Sequence, residues 1–196
     1  MRIVGGALSG RTFAGPKGDG TRPTAERVRE ALFSALEARG ALFGRVLDLY
    51  AGTGALAFEA LSRGAQEALS VEIDRRNAAA IERDARDLGL STHRCLVLDL
   101  ARRGAIERIG GPFELVLCDP PWADIASATE VLRALAARGT PGPGGHLVLV
   151  HSARDRHPSI DPLAIEAEYK YGDTAVALYA APDGGDAGTP HEAGPT

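Results

Sequence analysis

Several things are scarce in this sequence, and each scarcity narrows the reading. Only two cysteines occur among 196 residues, Cys95 and Cys118. Both lie inside apolar runs, so packed thiols are expected and a disulfide framework is not. The five histidines (His93, His146, His151, His157 and His191) show no metal-ligand spacing and no CxxC companions. A metal centre is therefore not expected. No apolar run approaches the ~20 residues of a membrane span, and MRIVGGALSGRTF carries a positive charge but no apolar signal segment. The expectation is a cytoplasmic chain. Excess positive charge is missing too: the formal net charge is −4, which argues against gripping nucleic acid by charge alone.

What is present fits one soluble α/β domain, with 44% apolar and 24% charged residues. Charge is unevenly spread. The first 29 residues hold Arg2, Arg11, Lys17, Arg22, Arg27 and Arg29 against Asp19 and Glu26, so that end is basic.

Residues 1–23 are glycine-rich, with short β-like stretches at Arg2–Val4 and Arg11–Phe13, and read as a hairpin or extended arm. Thr24 is a good N-cap for a helix ending at Gly40. A regular alternation follows. Strands are predicted over 45–51, 68–74, 94–100, 113–121 and 145–151, with helices after Gly54 and over 75–89 and 129–139. Uninterrupted apolar strands separated by helices imply a parallel sheet covered on both faces. The segment 164–180 breaks the rhythm with two β-rich runs around a Tyr-Gly-Asp turn, a hairpin signal. The predicted fold is a Rossmann-like, mostly parallel seven-stranded sheet closed by an antiparallel C-terminal hairpin, as in class I S-adenosylmethionine-dependent methyltransferases. The domain would span 24–181, and the aperiodic 182–196 would be a disordered tail.

Two loops carry the chemistry. Asp48-Leu-Tyr-Ala-Gly-Thr-Gly54 ends the first strand and opens a helix, where glycine permits close approach and helix amides are free to donate. Glu72 ends the second strand, 18 residues after Gly54, where a carboxylate can accept both ribose hydroxyls. Gly52, Gly54 and Ala57 also satisfy G-x-G-x-x-A, so a nicotinamide-dependent oxidoreductase competes. Asp48 separates the two: it would repel a pyrophosphate but attract a sulfonium and an ammonium. The candidate cofactor set is Asp48, Ala51, Gly52, Gly54, Glu72 and Asp99, the last either accepting the adenine amine or capping a turn.

Asp119-Pro120-Pro121-Trp122 follows the fourth strand at its carboxyl end, where ligand sites of such sheets lie. The prolines stiffen the turn. The Asp119 carboxylate and the Pro120 carbonyl can take both hydrogens of an exocyclic base amine, turning its lone pair toward an incoming methyl group. Trp122, the chain's one tryptophan, can stack on an extruded base. The candidate catalytic set is Asp119, Pro120 and Trp122.

These loops, together with Arg2-Ile-Val-Gly-Gly, Gly10-Arg11, Arg22-Pro23-Thr24, Arg27–Phe33, Glu59–Ala65 and Tyr171–Thr174, resemble the bacterial RsmD family over roughly residues 1–181. The resemblance implies methylation of N2 of a guanine in small-subunit (16S) ribosomal RNA, with S-adenosylmethionine as cofactor and the RNA, within a small-subunit particle, as partner. It implies a monomer with Arg11, Arg22 and Arg27, and less directly Arg29, on phosphates. Two departures stand out: Trp122 replaces the family's commoner Tyr or Phe, and Ala7 and Ser9 fall where relatives are frequently basic. A DNA adenine or other RNA amino-methyltransferase, and a non-catalytic RNA-binding protein, are the remaining alternatives.

Overall fold

The central strands are apolar from end to end, and in the computed structural model they pair where that pattern demands. The structure describes residues 1–16 and 23–184, with the side chains of 23–25 outside it. Elements run in the order α1 (Pro23–Glu37), β1 (Arg45–Leu49), α2 (Ala55–Ser62), β2 (Glu67–Glu72), α3 (Arg75–Leu88), β3 (His93–Val97), β4 (Leu115–Cys118), α4 (Ile125–Ala136), β5 (His146–Ser152), β6 (Ala164–Tyr171) and β7 (Thr174–Ala180). Among the described residues they form one seven-stranded sheet, ordered β3-β2-β1-β4-β5-β7-β6. β1 to β5 are parallel, and β7 lies antiparallel to both β5 and β6. This is the predicted sheet. The order reverses at β1/β4, which puts the crevice of such a sheet beyond the ends of those two strands.

Strand ends differ from the sequence expectation for physical reasons. β4 stops at Cys118 because Pro120 and Pro121 have no amide hydrogen to continue a ladder. β1 stops at Leu49 because Tyr50 takes a left-handed φ of 58°, and α4 starts four residues before Thr129.

Two layers cover the sheet. Leu32, Phe33 and Leu36 of α1 and Ala57 and Ala60 of α2 pack on one face with Leu115, Leu117, Val148 and Val176. Ala128, Leu132 and Leu135 of α4 pack on the other with Leu47, Leu49, Val116 and Leu149. The N-terminal segment is no free arm within its described part. Arg2 and Thr12 pair antiparallel, and Ile3 and Phe13 are buried with Phe58, Ile81 and Leu88.

A buried charge cluster fastens that hairpin. Glu59, fully buried, accepts hydrogen bonds from the Val4 amide (2.9 Å) and Arg63 Nε (2.7 Å), and pairs with buried Arg29 at 3.6 Å. Arg29 Nη2 donates to the Arg2 carbonyl. The expectation that Arg29 serves RNA is therefore overturned: it is 6% exposed and occupied on both sides. Arg22 and the Thr24 side chain lie outside the described residues, as does the predicted tail from 185 onward. Glu59→Ala would leave Arg29 buried without its counter-charge, a loss of roughly 3–5 kcal/mol. Urea unfolding should show the midpoint falling accordingly, and Glu59→Gln, which keeps an acceptor for Val4, should lose less.

Candidate active site

The carboxyl ends of β1, β2 and β4 bring three acidic side chains to one edge. In register Asp48 lies opposite Ser70 and Leu117, and Leu49 opposite Val71 and Cys118. Glu72 and Asp119 thus follow on the strands either side of Tyr50.

The first loop is built around its glycines. Gly52 has φ 53°, and a Cβ there would meet only the Tyr50 carbonyl at 3.8 Å, so its face is open to a ligand. Gly54, at φ 76°, caps α2, and a Cβ there would press on Ile81 and Phe58 at 3.0–3.1 Å. One glycine leaves room and the other permits packing.

Glu72 holds two turns at once. Its Oε2 accepts from the Gly52 amide and its Oε1 from the Asp74 amide, both at 2.8 Å. Each oxygen keeps a lone pair for a further donor. Asp48 is buried. Its Oδ2 accepts from the Ala57 amide at 3.3 Å and the Ser70 hydroxyl at 3.5 Å, while buried Oδ1 has no partner among the described residues. Desolvation, joined by the nearby charges of Asp119 and Glu72, pushes its carboxyl up to about 8. A buried carboxyl with an orphaned oxygen beside an open glycine loop fits a cationic ligand.

Asp119 is exposed toward the crevice and enclosed by protein behind, and this desolvation pushes its carboxyl up to about 6. No described group donates to it, and none donates to the Pro120 carbonyl. Trp122 opens a short 3-10 turn (Trp122–Asp124) and is 50% exposed. The turn thus exposes the Asp119 carboxylate and the Trp122 ring, with Pro120 buried between them.

Other sequence-predicted residues fare differently. Ala51 donates its amide to the Val71 carbonyl, joining the β1 turn to β2. Asp99 accepts from the Ala101 amide at 3.0 Å and Arg102 Nε at 3.3 Å within its own turn. Arg27 is exposed on α1. Arg11 is not brought to the crevice. Its Nη2 donates to the Asp87 carbonyl at the end of α3, about 20 Å from the helix start beside Glu72 at 1.5 Å per residue.

Two residues escaped the sequence reading. Ile73, next to Glu72, is 64% exposed, an apolar surface at the crevice rim. Tyr50, held at positive φ, is the one described non-glycine in that region, a strain characteristic of functional loops. Its phenol is pushed up to about 12 by burial and by the charges of Cys118, Asp124 and Asp99, so it stays neutral. An aromatic inside the glycine loop was the available signal for it.

Among the described residues no group of three or more His, Cys, Asp or Glu side chains could hold a metal, and no helix is long and apolar enough to cross a membrane.

Because Asp48 holds its proton more tightly folded than unfolded, the folded chain binds more protons between about pH 4 and 8. Stability should therefore fall as pH rises through that window. Asp48→Asn should flatten this slope and raise the melting temperature at neutral pH, read by thermal unfolding across pH. An unchanged slope would contradict the buried-carboxyl assignment.

Comparison with known proteins places this geometry. The family described as "Conserved hypothetical protein 95" matches residues 1–180. YlbH of Bacillus subtilis, which carries a provisional rRNA methyltransferase name, is 30% identical over 185 residues, covering 91% of this chain and 98% of that protein. The ribosomal RNA small subunit methyltransferase D of Escherichia coli K12 is 37% identical over 122 residues, 62% of this chain and 60% of that protein. A solved Escherichia coli structure, yhhF, provisionally described as a methyltransferase, superposes with TM-score 0.79 at 29% identity, covering 93% of this chain and 98% of that one. The chain, with its seven-stranded sheet, glycine loop and Asp-Pro-Pro-Trp turn, accordingly belongs to this RsmD family of methyltransferases.

Proposed function

We propose that the chain methylates the exocyclic N2 amine of a guanine in small-subunit ribosomal RNA, with S-adenosylmethionine as the methyl donor. The observation that carries this is the turn after β4, where neither the Asp119 carboxylate nor the Pro120 carbonyl has a donor among the described residues, beside an exposed Trp122. An amine has two hydrogens to give; this turn has two acceptors to receive them.

The bound cofactor supplies an electrophilic methyl group on a sulfonium. Asp48 and Glu72 would hold it through their free lone pairs, with Asp48 giving up its proton to the cation, while Gly52 would let it approach and Ile73 would offer apolar surface to its flat base. Asp119 and Pro120 draw on the N2 hydrogens, which pushes the nitrogen toward a tetrahedral shape and aims its lone pair. As the N–C bond formed, the methyl–sulfur bond would break with its electron pair left on the sulfur of the departing S-adenosylhomocysteine, and Asp119 would accept the proton released from N2. Trp122 stacks the extruded guanine. Rate enhancement comes from positioning and from acceptors already in place, without a covalent enzyme intermediate. The segment 1–23 serves as the RNA-contact arm of the 24–181 domain. Arg22 and Arg27 hold phosphates there, and Arg11 reaches only RNA lying along α3. These contacts orient without reading sequence. A monomer acting on a structured small-subunit particle completes the reading.

Single-turnover methylation of small-subunit rRNA at saturating RNA separates chemistry from binding. Asp119→Ala should lower this rate by roughly 100-fold or more while cofactor and RNA affinities change little; a near-normal rate would remove Asp119 from the chemistry. Trp122→Ala should weaken RNA engagement by ~1–3 kcal/mol, with Trp122→Tyr close to wild type.

The acid limb gives a second check. Asp119 accepts hydrogens only when ionised, and its carboxyl lies near 6, so the rate should fall as pH drops through that value. Asp119→Asn should lose the limb. An unchanged limb in that variant would assign the titration elsewhere.

A further inference from the structure

Behind the crevice a polar chain runs through the apolar layer between sheet and helices. Ser70 lies opposite Asp48 on β2, and its hydroxyl is 3.5 Å from Asp48 Oδ2 and 2.9 Å from His93 Nε2. Asp48, Ser70 and His93 are 1%, 0% and 5% exposed. His93 begins β3, its ring packed edge-on against Phe58 at 5.2 Å, and it lines a groove of about 430 Å³ at the far end of α3. The chain therefore spans the domain from that groove to the glycine loop. None of the chemistry described above uses Ser70 or His93.

Hydrogen-bond direction follows from counting donors. Burial, with Arg94 adding to it, drives His93 down to about 4, so the ring is neutral and one nitrogen carries a hydrogen. With that hydrogen on Nδ1, Ser70 must donate to His93, and Asp48 Oδ2 faces a hydroxyl lone pair. With it on Nε2, His93 donates to Ser70, and the single hydroxyl hydrogen turns to Asp48. Only the second arrangement gives both the Ser70 Oγ and, through the hydroxyl hydrogen, Asp48 Oδ2 a donor from this chain. The Ser70–Asp48 link is long, as such bonds are before the charge they serve is complete.

We infer that Ser70 and His93 are positioning residues for Asp48: a buried relay from His93 Nε2–H through Ser70 Oγ–H to Oδ2 holds one carboxylate oxygen and leaves Oδ1 as the acceptor for the cofactor's ammonium group. This rests on the reading of Asp48 as a cofactor residue. The relay and the Ala57 amide together supply two donors to Oδ2. They favour the ionised carboxylate against the cost of its burial, and they fix the rotamer that presents Oδ1.

Isothermal titration of S-adenosylmethionine into the full chain tests it. His93→Phe keeps an aromatic ring against Phe58 but removes the donor; Ser70→Ala breaks the relay in the middle; His93→Gln restores an N–H near the Nε2 position. The expected result is roughly 5- to 30-fold weaker cofactor binding for the first two. His93→Gln should recover most of the loss, and neither relay variant should weaken binding further when Asp48 is already Asn. A wild-type affinity in both relay variants while Asp48→Asn binds weakly would overturn the relay and leave Asp48's role standing. Losses that persist unchanged in the Asp48→Asn background would assign the effect to packing and equally overturn it. An Asp48→Asn protein with unaltered affinity would remove the cofactor reading of Asp48 and the relay with it. Should His93→Phe fail to fold, Ser70→Ala and His93→Gln decide the same question.

Discussion

A carboxylate that ties two loops together is the constraint on which the crevice depends. Glu72 reaches back from the end of β2 to the Gly52 amide and forward to the Asp74 amide, so the turns after β1 and β2 share one anchor. Asp74 in turn caps α3 by accepting from the Arg76 and Asn77 amides. The open face of Gly52, the start of α3 and the exposed Ile73 are thereby held in one arrangement before any ligand arrives. Preorganisation of this kind lowers the ordering cost of binding.

The same edge concentrates carboxyl groups without pairing them with basic side chains. Asp48 has an unpartnered oxygen, Asp119 has no donor, and burial, with the charge of Asp119 adding to it, raises Asp48's affinity for a proton. Isolated, such an arrangement destabilises the fold; facing a sulfonium and an ammonium, it becomes selective for cations over pyrophosphate. At the opposite end of α2, Glu59 does the reverse. Its charge is matched by Arg29 and Arg63, and the gain there is attachment of the N-terminal hairpin. One end of the helix is compensated, the other left poised.

Much of this was readable in the residues. The five parallel strands are apolar runs bounded by Gly and Pro, and the Pro120-Pro121 pair ends β4 where the missing amides require. Asp48, Glu72 and Asp119 reach one edge because each stands at the carboxyl end of a parallel strand. Arg29 was readable and missed: it stands three and four residues before Leu32 and Phe33, on the buried face of α1. Arg27 is rotated away from that face and is exposed. Burial of Ile3 and Phe13, the place of Arg11 on α3 and the Asp48–Ser70–His93 chain depend on contacts between distant segments. Local patterning carries no record of those.

The central claim is that the Asp-Pro-Pro-Trp turn holds an exocyclic guanine amine of ribosomal RNA for methylation by S-adenosylmethionine. Its most direct test is incubation of the purified chain with isotopically labelled S-adenosylmethionine and small-subunit particles lacking the modification, followed by digestion and nucleoside mass spectrometry. The account predicts label in N2-methylguanosine at a single position of the rRNA. Label recovered instead in methyladenosine, in protein, or in no nucleoside would contradict it.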